Sequence, residues 1–277
     1  MKMNTITIIG AGNMGRSLLA GLIANQYPPE QLWITDTEIE KLNALKQQFN
    51  IHTTSHNEEA IQLADVVILA VKPQIIGNLL KSVAPVIQQK KPLVISVAAG
   101  IREEHLQNWL GGKIPVIRCM PNTPALIGAG ASALYANSFV NETQHELAES
   151  ILRAVSMIVW LDNENEMDAV TALSGSGPAY FFLVMEALQT AGEEMGLSSK
   201  TARLLTLQTA FGAARMALES HESVKKLREH VTSPGGTTEA AIHVLENEKI
   251  RDTFKKALDA ACSRSKELAQ LFGNVEV

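Results

Sequence analysis

Hydrophobic positions in the first half of the chain fall in short runs rich in Ile and Val, separated by stretches whose apolar residues recur at helical spacing. "TITIIG" reads as a strand and "MGRSLLAGLIANQ" as a helix; "QLWITD" and "EIEKLNALKQQF" repeat the pair. "ADVVILAV" with "PQIIGNLLKSVAPVIQ" and "PLVISVAA" with "REEHLQNWLG" repeat it again, and "IPVIRCMP" adds another strand. Repetition of this kind implies a parallel sheet covered by helices on both faces, and the unbroken apolar runs suit strands buried on both faces. "ASALYAN" and "VWLD" are candidate further strands, with the helical "NETQHELAESILRAVSM" between them.

The pattern changes at the acidic stretch "LDNENEMD", residues 161–168. Beyond it "MDAVTALSG", "PAYFFLVMEALQTAGEEMG", "SSKTARLLTLQTAFGAARMALES", "SVKKLREHV", "TTEAAIHVLENE" and "IRDTFKKALDAACSRSKELAQLF" all have helical spacing, with no convincing strand. The expected organisation is therefore an α/β domain over residues 1–162 and an all-α domain over residues 163–277. The helix from Pro178 is apolar around most of its circumference through "AYFFLVM". A helix of that kind seeks burial, and in so small a helical domain a second subunit is the expected cover.

Composition narrows the function classes. A chain of 277 residues is comfortable for two domains, and 46% hydrophobic with 19% charged residues is ordinary for a well-packed soluble protein. A net charge of -5 disfavours nucleic acid or an anionic membrane as the main partner, while leaving room for a local anion pocket. Cys119 and Cys262 have no paired spacing that suggests a metal site or a disulfide framework, and both are read as buried thiols. The apolar start "MKMNTITIIGAG" is too short for a secretory signal and runs straight into glycines. The apolar run Ala179 to Met185 is interrupted by Glu186, and nothing reaches the roughly 20 apolar residues of a membrane span, so a cytoplasmic protein is expected.

"IIGAGNMGRS" carries Gly10, Gly12 and Gly15 in the pattern G-x-G-x-x-G. Alone that pattern is weak, but here it follows a strand, opens a helix and begins a series of strand–helix units, the context of a Rossmann-like dinucleotide site. Gly10 would permit the tight turn, Gly12 the approach of a pyrophosphate, and Gly15 close packing of helix on strand. The pyrophosphate would sit at the helix N-terminus. Asp36 lies 21 residues after Gly15, at the end of the second strand, where an acid accepts from the ribose hydroxyls and opposes a 2'-phosphate; by itself it argues for NAD over NADP. Lys41 reads as a solvated surface charge. Lys72 and Pro73 in "LAVKPQ" end the next strand at the carboxyl edge, where ligands bind in such sheets. "SVAAG" (96–100) offers small residues for a nicotinamide ribose, and "RCMPNTP" (118–124) a rigid wall for its ring.

Oxidation of an alcohol would need a base such as His, Lys or Tyr. None of the seven histidines, His52, His56, His105, His145, His221, His230 and His243, sits beside a compelling orienting partner. The two unusual segments of the helical half, "SGSGPAYFF" (174–182) and "VTSPGGTTEAA" (231–241), offer glycines and hydroxyls; Glu239 reads as a helix-capping acid. A site rich in backbone N–H groups and poor in bases suits a cyclic imine. Its iminium form takes hydride at carbon and needs no strong protein acid. A hydroxyl would orient the ring nitrogen, and the glycine loop would hold a carboxylate.

Those segments, "IGAGNMGRSLLAGL", "AVKPQ", "SVAAGI", "RCMPNTPALIGAGA", "ALSGSGPAYFF" and "SPGGTTEAAIHVLE" in this order, resemble the pyrroline-5-carboxylate reductase family over nearly the whole chain. The resemblance implies an enzyme of proline biosynthesis, an NAD(P)H-dependent oxidoreductase acting on a C=N bond. It implies helical domains that interlock as a homodimer, assembled in many members into a decamer. By matching position, Ala11, Gly12, Asn13 and Met14 would lie on the pyrophosphate, and Asn57, Ala70, Val71 and Lys72 on the adenosine side. Ala98, Ala99 and Gly100 would line the nicotinamide side with Met120, Pro121 and Asn122. Ser233, Gly235, Gly236, Thr237 and Thr238 would hold the substrate, Thr238 as catalytic donor to the ring nitrogen. No metal is implied. Two departures stand out: Asp36 in "TDTE" replaces the small polar or basic residues of NADPH-preferring members, and Val224 stands near a proline common in the family. Members accepting either NADP or NAD are common.

Two other classes are weighed against this one. A β-hydroxyacid dehydrogenase would need a catalytic Lys in the first long helix after the junction, and "AYFFLVMEALQTAGEEMG" has none. A non-catalytic nucleotide sensor or accessory protein should have lost the Ser, Gly and Thr residues of the second loop, which are intact here.

Overall fold

The computed structural model describes residues 3–273, so the first two residues of the apolar start and the last four of the helical half lie outside the described residues. The elements run β1 Ile6–Ile9, α1 Asn13–Ala24, β2 Leu32–Thr35, α2 Ile39–Phe49, β3 His52–Thr54, α3 Asn57–Leu63, β4 Val66–Leu69, α4 Pro73–Lys90, β5 Leu93–Ser96 and α5 Glu103–Leu110. They continue β6 Val116–Met120, β7 Gly130–Ala136, α6 Glu142–Arg153, β8 Ser156–Trp160, α7 Met167–Val170, α8 Gly177–Glu194, α9 Ser199–Glu219, α10 Val224–His230, α11 Thr237–Asn247 and α12 Ile250–Gly273.

The sheet has eight strands in the order β3-β2-β1-β4-β5-β6-β7-β8. Successive strand side chains point to opposite faces, and β4 shows the consequence. Val66 and Ile68 join a core with Leu18, Leu19 and Leu22 of α1, Leu42 and Leu45 of α2, and Ile151 and Leu152 of α6. Val67 and Leu69 join a second core with Ile61 of α3, Ile76, Leu80 and Ile87 of α4, and Leu106 and Leu110 of α5. Both faces are covered in the middle of the sheet, so both residue parities there are mainly apolar, and a polar exception such as Thr7 is paired, its hydroxyl donating to the Ala60 carbonyl at 3.0 Å. That is why the strands read as continuous apolar runs.

All strand pairs are parallel except β6 with β7. The link 121–129 holds only a short 3-10 turn, too little chain for a parallel crossover, so β7 returns antiparallel beside β6, whereas β8 follows the full helix α6 and runs parallel to β7. The strand β3 was not expected. Its three residues, "HTT", are polar and lie at the sheet edge, and Trp33 of β2 stacks on His52 with ring centroids 4.6 Å apart.

The described chain forms two compact units, residues 3–176 with 260–273, and residues 177–259, a division that differs from the composition break at 162/163. In the first unit, α7 runs into a wide π-type turn, Thr171–Gly175, closed by the Ser176 N–H on the Thr171 carbonyl at 2.8 Å. In the second, the helices are long but nearly everything on them is accessible in the single chain. Phe181, Phe182, Leu183, Leu204, Leu205 and Phe211 are each more than half exposed, and Ala202 is the one buried apolar side chain described in α8 to α11. An apolar surface of that extent marks an interaction site. Among the described residues no helix is long and apolar enough to cross a membrane.

The cysteines differ from expectation in one respect. Cys119 on β6 is 4% exposed, and burial pushes its thiol up to about 12. Cys262 on α12 is only half-buried. Brief alkylation at about pH 8, near the ordinary thiol range, should leave Cys119 unmodified in the folded protein and modified in urea. Mass spectrometry showing equal labelling in both states would contradict its burial.

Candidate active site

The order of the sheet reverses between β1 and β4, and a crevice opens there at the carboxyl ends of the strands. The three glycines of the first loop have separate reasons to be glycine. At Gly10, φ is +107° and an added β-carbon would lie 2.5 Å from the Ala70 carbonyl oxygen. At Gly15 it would lie 2.0 Å from the Gly10 carbonyl oxygen. At Gly12 it would meet nothing within 4 Å. Gly10 and Gly15 are therefore glycines of packing, and Gly12 is a glycine of access, open on the side where a ligand would come. The first hydrogen bond of α1 runs from Arg16 N–H to Gly12 O at 2.9 Å, which leaves the amides of Asn13, Met14 and Gly15 without helical acceptors. With the positive end of the helix dipole they form an anion seat.

One predicted contact is redirected. The Ala11 N–H, expected on the pyrophosphate, donates to Asp36 Oδ2 at 2.7 Å. Asp36 Oδ1 accepts from the Glu38 N–H at 3.0 Å. The carboxylate is thus pinned at the end of β2 by two backbone donors, one of them the amide of the buried Ala11. Beside it lies an open cleft of about 560 Å³ lined by Ile9, Gly10, Thr35, Asp36, Thr37, Ser55, Asn57, Val71, Ile75 and Leu79. Glycine loop, anion seat, acid and cleft together fit a dinucleotide. Of the residues expected on the adenosine side, Asn57 and Val71 line this cleft, while Ala70 touches Gly10. Lys72 is exposed and precedes α4, where Pro73 takes the first helical position. The sequence reading missed Ile9, Thr35, Thr37, Ser55, Ile75 and Leu79. Thr35 carried a signal, since it adjoins Asp36 and donates to Asn57 Oδ1 at 2.6 Å. Ser55 did not, because the strand before it was unrecognised.

The expected nicotinamide side is built from three segments of the same unit. Ala98 and Gly100 are buried and Ala99 is exposed after β5. Asn122 is locked at both ends: its Nδ2 donates to the Ser174 carbonyl at 3.1 Å and its Oδ1 accepts from the Ala131 N–H at 2.9 Å. A β-carbon at Gly175 would lie 2.4 Å from Met120 Cε, so Gly175 makes room for that side chain. The "SGSG" motif therefore braces Met120 and Asn122.

In the second unit, the loop Ser233–Gly236 leads into α11. Gly235 has φ +73°, a conformation that favours glycine, and its N–H donates to Glu239 Oε2 at 2.7 Å. The Gly236 N–H donates to the Ser233 carbonyl at 3.0 Å. Both amides, expected to hold a substrate carboxylate, are engaged within the chain. The first helical bond is Ala240 N–H to Gly236 O at 3.2 Å, so the amides left without helical acceptors are those of Thr237, Thr238 and Glu239. The Thr237 and Thr238 side chains are exposed. Glu239, read as a capping acid, bonds the N–H of Gly235, one residue before the N-cap Gly236, whereas a capping-box acid would take the N-cap amide itself. Nearby, Ser223 caps α10 by accepting from the Lys226 N–H at 3.3 Å, so Val224 enters a helix without the family's proline.

Comparison with known proteins bears on this arrangement. The family model for pyrroline-5-carboxylate reductase dimerisation matches residues 164–268, and the model for NADP oxidoreductase, coenzyme F420-dependent, matches residues 5–100. A pyrroline-5-carboxylate reductase of Pseudomonas aeruginosa is 49% identical over 273 residues, 99% of this chain and 100% of the relative. The chain belongs to the pyrroline-5-carboxylate reductase family. Among solved structures, the pyrroline-5-carboxylate reductase of Coxiella burnetii is 49% identical with a TM-score of 0.93, covering 97% of this chain and 99% of that one. The pyrroline carboxylate reductase of Plasmodium falciparum, solved with NADP bound, is 31% identical with a TM-score of 0.86, covering 97% and 99%. Its place in this family agrees with the resemblance carried by the two glycine loops.

Among the described residues Asp36 is the one charged side chain lining the cleft, and its carboxylate is held there by two backbone amides. Asp36→Ser should raise the ratio of kcat/KM for NADPH over NADH about tenfold, through loss of like-charge opposition. Parallel initial-rate series with the two nucleotides measure it, and an unchanged ratio would remove Asp36 as the selecting residue.

Proposed function

We propose that this protein reduces 1-pyrroline-5-carboxylate to L-proline, the last step of proline biosynthesis, with NADPH or NADH as the reductant. The observation that carries the reading is a pair of loops on one chain, a glycine cradle beside an open cleft and a helix start with amides left without helical acceptors and exposed threonine hydroxyls. Membership in the family over the full chain length supports the same substrate class.

When bound, the reduced nicotinamide supplies a hydride for the imine carbon. The amides of Asn13, Met14 and Gly15 hold the pyrophosphate, and Asp36 faces the adenosine ribose. Ala98 to Gly100 and Met120 to Asn122 line the nicotinamide half. Ser233 to Thr238 take the substrate, with the Thr237, Thr238 and Glu239 amides on its carboxylate and the Thr238 hydroxyl at the ring nitrogen. The nitrogen arrives protonated, so the protein has no proton to deliver against a steep pKa difference. Acceleration comes from position and from anion seats formed before the substrate arrives.

The accessible Phe and Leu side chains of α8 and α9 support a homodimer covered through the second unit, and a decamer of such dimers is the larger assembly of this reading. The enzyme works in the cytoplasm in this reading, where its two thiols stay reduced. Sedimentation should then give an even multiple of the chain mass, whereas a monomer at working concentration would leave these faces unexplained.

Purified protein mixed with 1-pyrroline-5-carboxylate should consume NADH or NADPH, followed by the loss of absorbance of the reduced nucleotide. Thr238→Ala should lower kcat roughly 10- to 1000-fold, the range for removal of one oriented polar group. Wild-type turnover in that variant would end the role given to Thr238. Nucleotide binding without turnover of this imine would favour the non-catalytic sensor instead.

A further inference from the structure

The last two turns of α12 present a stripe at helical spacing, Ser265, Leu268, Ala269 and Phe272, to the rest of the first unit. Ser265 and Ala269 are buried at 5% and 2% exposure in a segment whose other residues are largely accessible. The stripe touches two places. Ser265 Oγ donates to Asp168 Oδ1 on α7 at 2.6 Å. Gly100, with φ +75°, faces the other end: a β-carbon there would lie 3.4 Å from Phe272 Cδ2, 3.5 Å from Leu268 Cβ and 3.7 Å from the Ala269 nitrogen. Phe272 also packs on the core beneath α4 and α5, and with Trp109, Pro73 and Gly77 it walls a shallow surface hollow.

These contacts converge on the segments that line the nicotinamide half. Gly100 closes the Ala98–Gly100 loop. Asp168 begins the run through the π-type turn to Ser174 and Gly175, which hold Asn122 and Met120. None of the stripe residues, and neither Gly100 nor Asp168, lines the cleft beside Asp36. The stripe thus meets site-lining backbone directly at Gly100, and it reaches the cleft beside Asp36 only through α4, whose Ile75 and Leu79 line that cleft.

We propose that the end of α12 is a strut that acts chiefly on the nicotinamide half, and that Phe272 is a positioning residue that acts through the Gly100 backbone. This rests on the reading of residues 98–100 as nicotinamide-lining. Removal of the phenyl group leaves a void behind a turn that already sits in the left-handed region, and the loop relaxes into it. Hydride transfer is sensitive to displacements below 1 Å, so a small relaxation there costs rate before it costs fold.

The test uses Phe272→Ala and the bulk-retaining Phe272→Leu in the full chain. ADP probes the adenosine half and reports that the unit is folded. Fluorescence titration with NADH and NADPH probes both halves and needs no substrate. Phe272→Ala should keep ADP affinity within about twofold, weaken the reduced dinucleotide about tenfold and lower kcat by roughly 10- to 100-fold, with Phe272→Leu recovering most of each. Unchanged dinucleotide affinity and kcat would overturn the proposal. So would parallel weakening of ADP, which would mean general damage. A wild type that binds both nucleotides but does not reduce the imine defeats the substrate reading and leaves the ratio of the two affinities to judge the strut.

Discussion

The close approach of α1 to the end of β1 is the contact on which the candidate site depends. A β-carbon at Gly15 would come within 2.0 Å of the Gly10 carbonyl oxygen, and one at Gly10 within 2.5 Å of the Ala70 carbonyl oxygen. No side chain fits between these backbones. Because they touch, the amides at the start of α1 point at the crevice, and β1 and β4 close up on one another across the reversal of strand order. Asp36 extends the same constraint to β2, since its carboxylate bonds the Ala11 amide and so ties the second strand to the first turn. Three elements are held in mutual position by backbone contact and one carboxylate, and the cleft is what remains between them.

The second unit is organised on a different principle. The first unit buries its apolar residues in two cores, one on each side of the sheet. The second leaves Phe181, Phe182, Leu183 and Phe211 mostly accessible. Its helices follow from sequence spacing and from caps such as Ser198 and Ser223. Packing that would stabilise them in water lies outside the single chain. The loop before α11 is shaped from within, by Gly235 in the left-handed region and by Glu239 on its amide. That carboxylate places a negative charge beside amides suited to an anion. It stiffens the loop and also sets the electrostatic background against which a substrate carboxylate would bind.

Much of this could be read from the chain alone, for identifiable reasons. Apolar runs at strand length and helical spacing between them come from local geometry and burial, so the α/β half and the helical half were both legible. The glycine pattern was legible because its steric demands fall on residues adjacent in sequence. The errors share the opposite property. Edge strand β3 is too short and polar to carry a period, and only its register on Trp33 makes it a strand. The amides of Ala11, Gly235 and Gly236 look free in a linear reading, and each is taken by a partner that only coordinates reveal.

What the sequence determined by itself is the order of elements, the two loops and the chemical character of the site, because residue type and short-range spacing decide these. The tertiary structure alone decided which donors are left for a ligand. It also decided that β7 turns back on β6, that Asn122 is bound at both ends, and that Phe272, more than 170 positions from Gly100, lies against it. Contacts of that kind depend on how a helix packs on a sheet, and no period in the chain encodes them.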